Sequence, residues 1–258
     1  MKVFGLSDIG RVRQTNEDAF GIREIAENAL LLVVCDGMGG LDCGDVASHL
    51  ALNVFSDTVE RLCKPHIDNG RLTLFEREAN LILSNAVTVA NNRVIKKQEE
   101  TSAIDGMGTT LVAALIQNGG KQISWANIGD SRLYTVDSRD ILQVSKDHSY
   151  VQHLIDIGKL TLKEAKKSKK RNLITRAIGI DVNCQPDVDT FPLTSDEVAE
   201  TKILLCSDGF SNGVEEDACM AIAMDGSLSV EERVNKLVSL ARENDGSDNI
   251  TLIMAELA

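Results

Sequence analysis

Apolar residues fall into two spacings along this chain, and the switches between them mark out its elements. Short apolar runs at Val3–Leu6, Ala19–Ile25 and Leu30–Cys35 predict strands, with the polar loop SDIGRVRQTN after the first and a short Glu27-Asn28 connection before the third. From Asp42 the period becomes helical. Val46, Leu50, Val54 and Val59, with Ala47 and Ala51, share one face, and Pro65 closes the segment. A second helical stretch runs from Leu72 to Gln98, with Leu74, Ile82, Leu83, Ala86, Val87, Ala90 and Val94 among its apolar positions. Two long helices joined by a short loop read as an antiparallel pair lying over a sheet.

β-rich runs then return at Thr109–Ile116, Gln122–Ile128, Arg132–Val136 and Ile141–Val144, separated by turn residues, as a meander. Tyr150–Gly158 and Leu160–Lys170 read as helices, the second ending in the basic run KEAKKSKKR, a solvated face. Asn183–Pro192 is extended, Lys202–Ser207 is a second buried strand, Val230–Arg242 is an amphipathic helix and Ile250–Ala255 a last strand. Strands and helices come in blocks rather than in strict alternation. That pattern predicts an α+β fold with antiparallel sheets, as one domain over residues 1–258.

Two of the buried strands end alike: LLVVCDGMGG delivers Asp36 and Gly37, and ILLCSDG delivers Asp208 and Gly209. One Asp-Gly after a strand is an ordinary turn; two are a pattern. Other acids also stand at strand edges beside Gly, Ser or Asn, namely Glu17, Asp18, Asp130 and Asp248. Clustered alone they would repel and raise one another's pKa values. Gathered at one end of a sheet sandwich they make an all-oxygen site for Mg²⁺ or Mn²⁺. A pair of such ions acidifies water and clamps a displacement at phosphorus. Arg13, just upstream of Glu17-Asp18, has the planar fork that suits a phosphate.

Composition narrows the field. With 39 acidic residues against 27 Lys plus Arg, a formal charge of -12 argues against a nucleic-acid backbone binder. The six cysteines form no Cys-x-x-Cys pair, and Cys35 and Cys206 sit inside apolar strands, which suggests a reducing compartment. The opening MKVFGLSDIG lacks an apolar leader core and no apolar run is long enough to span a bilayer, so a soluble, cytoplasmic protein is expected. Walker and His-Glu-x-x-His motifs do not occur. On chemistry alone, the residues point to a metal-assisted phosphoester hydrolase.

The ordered set SDIGRVRQTNEDAF, VVCDGMGG, GMGTTLVAAL, ANIGDSRLY, DHS, LITRAIG, LLCSDGFSN and SDNITLI resembles the metal-dependent Ser/Thr protein phosphatases of the PPM type, or protein phosphatase 2C, in their compact bacterial branch. The resemblance implies a β-sandwich of two antiparallel sheets flanked by helix pairs, with two Mn²⁺ or Mg²⁺ ions at one end and a weaker third. In that family's pattern Asp36 bridges both metals, the Gly37 carbonyl ligates one, and Asp208 and Asp248 complete the shell of the second. Glu17 and Asp18 contact the centre directly or through water, Asp130 with Asp208 holds the third ion, and Arg13 binds the phosphate. A metal-bridging hydroxide then attacks phosphoserine or phosphothreonine directly. The implied partners are a phosphorylated protein and an opposing Ser/Thr kinase, itself a candidate substrate, with no nucleic acid, no membrane and a monomeric enzyme. A catalytically dead binding module and a small-phosphoester hydrolase are the alternatives; the first is disfavoured because every matched acid is present.

The chain departs from the family pattern twice. Met38 stands where many animal members carry the histidine proposed as general acid, and His148 of DHS, a lone loop histidine, reads as a structural hydrogen bonder. In the segment corresponding to the flap, Tyr150–Gly179, Ser168-Lys169-Lys170-Arg171-Asn172 replaces the usual His-Pro before Arg-Asn.

Overall fold

In the computed structural model, which describes residues 1–39, 43–101 and 106–258, the elements run as follows. Strands β1 (Lys2–Asp8), β2 (Asp18–Ala26) and β3 (Ala29–Met38) lead into helix α1 (Cys43–Cys63). A small hairpin, β4 (Ile67–Asp68) and β5 (Arg71–Leu72), precedes α2 (Glu76–Thr101). Then come β6 (Gly108–Thr109), β7 (Leu111–Gln117), β8 (Gln122–Ile128), β9 (Arg132–Val136) and β10 (Ile141–Gln143). Short helices α3 (Tyr150–Asp156) and α4 (Leu162–Lys166) lead to β11 (Asp187–Pro192), α5 (Ser195–Glu200) and β12 (Lys202–Cys206). The chain finishes with α6 (Asp208–Gly213), α7 (Glu216–Ala223), α8 (Val230–Asn244) and β13 (Ile250–Glu256). Gly40 of the glycine run and Asp42, where the helical period was expected to start, lie outside the described residues.

One sheet has the order β1-β13-β12-β9-β10, the other β11-β8-β7-β3-β2 with β6 joined to β3, and the pairings in both are antiparallel. Strand alternation explains the layers. On β3, Leu30, Leu32 and Val34 face the other sheet, while Leu31, Val33 and Cys35 face α1 and α2. On β12, Ile203 and Leu205 enter the space between the sheets, while Leu204 and Cys206 meet α7 and α8. A strand covered on both faces has no position for a polar residue, hence the unbroken apolar runs. The result is four layers: helices, sheet, sheet, helices, the predicted α+β sandwich.

Several boundaries differ from the sequence reading. Leu72 belongs to β5, where the Asn28 side chain holds its backbone N–H (2.8 Å) and C=O (3.1 Å), so α2 begins only at Glu76. Helix α4 stops at Lys166 rather than Lys170. Beyond it Lys167, Lys169, Lys170 and Arg171 would stack like charges at helical spacing. Helices α5, α6 and α7 were not anticipated. All six cysteines are free, five of them buried. Among the described residues, no helix is long and apolar enough to cross a membrane.

Candidate metal centre

The mouth between the two sheets collects the acids. β2 and β3 pair in a register that sets Asp18 directly across from Asp36. By strand alternation Asp18 shares the inward face of Phe20 and Ile22, and Asp36 that of Val34. Like charges opposed in this way destabilise a ladder. Asp208 arrives from the facing sheet, as the first residue of α6 at the end of β12. Asp248 lies just ahead of β13, Asp130 between β8 and β9, and Glu17 just ahead of β2.

The electrostatics tie these groups together. Asp36 feels Asp18, Asp208, Asp130 and Asp248, and its carboxyl is held well above the ordinary range, by loss of water first and by these neighbours second. Burial likewise pushes Asp18 up to about 7, against hydrogen bonds that oppose the rise. Burial and neighbouring aspartates push Asp130 to about 7 and Asp208 to about 6. Asp36 and Asp208, at the ends of strands from the two sheets, lie near enough that each influences the other's ionisation. Among the described residues, no three His, Cys, Asp or Glu side chains converge closely enough to grip an ion as they stand. The acids form an open ring rather than a finished cage.

One oxygen in the ring asks for a partner. Asp18 Oδ2 accepts from Ser207 Oγ (2.8 Å) and Thr251 Oγ1 (2.6 Å). Asp18 Oδ1 is buried and accepts no hydrogen bond. An unpaired buried acceptor is costly, and an acceptor-only oxygen amid other carboxylates fits a hard divalent cation. The donor set therefore suits Mg²⁺ or Mn²⁺.

Close backbone approach shapes the ring. A Cβ on Gly37 would run into the carbonyl oxygens of Gly44 and Glu17, and one on Gly209 would run into that of Asn249. Hydroxyls brace the Asp36 backbone: its N–H donates to Thr110 Oγ1 (2.9 Å), and its C=O accepts from Thr109 Oγ1 (2.9 Å) and Thr110 N (2.9 Å). Thr110 Oγ1 in turn lies 2.7 Å from Ser131 Oγ. Asn249 staples the N-terminal loop. Its Oδ1 accepts from Glu17 N (2.8 Å), and its Nδ2 donates to the carbonyls of Ile9 (3.0 Å) and Thr15 (3.1 Å). These braces were missed in the sequence, although Ser131 and Asn249 each follow an aspartate and Thr109 and Thr110 open an apolar stretch.

Arg13 reaches the ring through Asp248, donating from Nη2 to Oδ2 (2.8 Å), with Glu17 and Asp36 further supporting its charge. A second arginine was not anticipated. Arg132 grips Asp147 through Nε (3.0 Å) and Nη2 (2.7 Å) and favours the ionised forms of Asp130 and Asp208. His148 is structural: its Nδ1 accepts from Gly129 N (3.2 Å), its Nε2 meets Asp187 (3.1 Å), and burial lowers its pKa. Met38 is half-buried and pairs with Gly108, presenting no titratable group. The segment expected to be the flap walls a cleft of about 400 Å³, in which Lys163, Lys166, Arg171 and Asn172 stand with Asp130 and Asp208.

Comparisons with known proteins agree with this geometry. Residues 10–243 match the family model described as protein phosphatase 2C. The chain is 32% identical over 250 residues to the serine/threonine phosphatase stp of Listeria welshimeri, covering 97% of this chain and 93% of that protein. It is 32% identical over 253 residues to the serine/threonine protein phosphatase PstP of Mycobacterium tuberculosis, covering 97% of this chain and 44% of that protein. Among crystal structures, the serine/threonine phosphatase Stp1 from Staphylococcus aureus superposes with a TM-score of 0.87 at 33% identity, covering 99% and 94% of the two chains. The catalytic domain of PstP in complex with two manganese ions superposes with a TM-score of 0.79 at 30% identity, covering 99% and 97%.

Proposed function

The chain belongs to the metal-dependent protein phosphatase 2C family and is a serine/threonine protein phosphatase, and from that premise we propose that residues 1–258 form one catalytic domain whose acid ring holds two Mn²⁺ or Mg²⁺ ions. Asp36 would bridge the pair and the Gly37 carbonyl would ligate one ion. Asp208 and Asp248 would hold the other, Glu17 and Asp18 would contact the centre directly or through water, and Asp130 with Asp208 would hold a weaker third. The observation that carries this reading is the direct cross-strand opposition of Asp18 and Asp36, one of them with a buried oxygen that takes no hydrogen bond.

A bound divalent pair supplies an acidified water and neutralises charge on the phosphoryl oxygens. The protein's own residues do the rest. Thr109 and Thr110 hold the Asp36 backbone so that its carboxylate points into the mouth. Ser207 and Thr251 stabilise the charged form of Asp18. Arg13, half-exposed at the rim, orients the phosphate by exchanging its Asp248 partner for phosphoryl oxygens. His148, committed to Gly129 and Asp187, takes no part in protonating the leaving alkoxide. The enzyme acts as a monomer, in a reducing compartment in keeping with its six free cysteines. It removes phosphate from seryl and threonyl residues placed by a Ser/Thr kinase, the kinase itself among its substrates.

The test is hydrolysis of a phosphothreonine peptide and of a small aryl phosphate, with Mn²⁺ or with EDTA, by the wild type and Asp36→Ala. Turnover of both substrates is expected with Mn²⁺. A loss of about a thousandfold is expected in EDTA and in Asp36→Ala, the equivalent of several kcal/mol of metal-derived stabilisation. Activity that survives either change overturns the two-ion reading, and an enzyme that turns over only the aryl phosphate overturns the protein-substrate reading.

A further inference from the structure

A second hollow lies away from the cleft beside the acid ring. It is a groove of about 630 Å³ on the flank of the sandwich, between the outermost strand of each sheet. β10 ends one sheet and β11 ends the other, so this is the side where the two sheets stand open. Trp125, Val136, Val144, Phe191 and Leu193 line it with apolar surface, and Leu142 stands on its lip with 60% of its surface exposed. The charged groups around it are unbalanced. Asp137, Asp140, Asp189 and Glu197 face a single guanidinium, Arg139, which is already bound to Asp137 (2.6 Å).

The groove touches the catalytic cleft at one residue. Gln143 lines both hollows, and its Nε2 donates to Ser145 O (2.9 Å) and Asp147 Oδ1 (2.8 Å). Asp147 in turn holds Arg132 on the cleft wall. Gln143 therefore marks where the groove and the cleft adjoin.

We propose that this groove is a docking site for an extended segment of the substrate protein in which apolar and basic residues alternate, bound apart from the phosphorylated residue. That the occupant is part of the substrate rests on the phosphatase reading above. An extended chain is the shape that two sheet edges accept, and its side chains point alternately to opposite sides. One set meets the apolar floor beside Leu142 and Phe191; the other meets the carboxylates of Asp140, Asp189 and Glu197. Charge complementarity selects lysine or arginine for that second set.

The probe is a fluorescent nonapeptide of alternating leucine and arginine, without phosphate, titrated against the whole protein. The variants are Leu142→Ser, which removes the exposed apolar contact, and Asp140→Asn/Asp189→Asn, which removes charge while leaving a side-chain oxygen for the backbone N–H groups of Ile141 and Thr190. Each is expected to weaken binding about tenfold and to leave aryl phosphate turnover unchanged. Binding is expected to weaken with added salt, to fail with a leucine-glutamate peptide, and to persist in Asp36→Ala and in EDTA. Joined to a phosphothreonine segment, the docking sequence should lower KM for the wild type and not for the variants. Equal binding by the variants, or by the leucine-glutamate peptide, overturns the proposal. So does binding that disappears in Asp36→Ala, because the probe would then sit at the acid ring. The phosphatase reading stands or falls separately, on turnover of the aryl phosphate.

Discussion

The two Asp-Gly strand ends look alike in sequence and are built differently. Asp36-Gly37 continues as strand, paired through Gly37 and Met38 to β6 and braced from the side by Thr109 and Thr110. Asp208-Gly209 turns at once into α6, with Gly209 pressed on the backbone of Asn249. The first is a carboxylate held rigidly in a ladder, opposite another carboxylate. The second stands at a helix start, with Asn212 Nδ2 reaching its Oδ2 at 3.3 Å. The same dipeptide thus serves two designs, a carboxylate fixed in a ladder and one at the start of a helix. Neither glycine was selected for a left-handed backbone. Both are there because another chain passes too close for a side chain.

The contrast can be broken at the acids. Asp36→Asn is expected to cost hydrolysis about a thousandfold and Asp208→Asn about ten- to a hundredfold, because in the proposed arrangement the first removes a ligand shared by both ions and the second one of several flanking oxygens. Equal losses, measured as kcat/KM with Mn²⁺, would erase the distinction. A smaller effect is expected at the glycines. Gly37→Ala and Gly209→Ala each force a methyl into a backbone carbonyl, at a cost of about 2 kcal/mol. Thermal melts should show both variants destabilised, while Gly226→Ala, where a Cβ meets nothing within 4 Å, is the silent control.

The smallest effect concerns pH. Carboxyls held at about 6 to 7 in the folded chain favour the protonated form more than they do when unfolded, where the ordinary value is 3.8. Their contribution to stability is complete below that ordinary value and is lost as pH rises through about 6 to 7. In EDTA, the melting temperature should therefore fall by on the order of 5 °C between pH 5.5 and pH 8. Mn²⁺, which binds the ionised groups, should remove most of that slope. A melting temperature that rises over this range in EDTA would mean that the ring is not repulsive.

Much of this was legible because burial writes itself plainly. Leu30–Cys35 and Ile203–Cys206 announce strands covered on both faces, and the acids at their ends announce a site. Helix α6 was hidden because Asp-Gly reads as a turn. Its preceding Ser207 also gives no capping signal, since its hydroxyl is spent on Asp18 and on the Thr251 N–H rather than on α6. Helix α5 did carry a signal that went unread, the box of Thr194 and Glu197. The Arg132–Asp147 pair was illegible for a different reason. Fifteen residues separate the two, and only the β9–β10 hairpin brings them together.

The staple made by Asn249 has a consequence for how the chain comes into being. It ties Ile9, Thr15 and Glu17 to a residue that follows more than two hundred positions later. β13 then slots between β1 and β12, so the sheet bearing Asp208 has a gap until that strand arrives. Helices α1 and α2 can assemble on β2, β3 and β7 during synthesis, but the acid ring cannot close around Asp248 before the chain has been made that far. A nascent chain thereby lacks a complete ring until β13 is made.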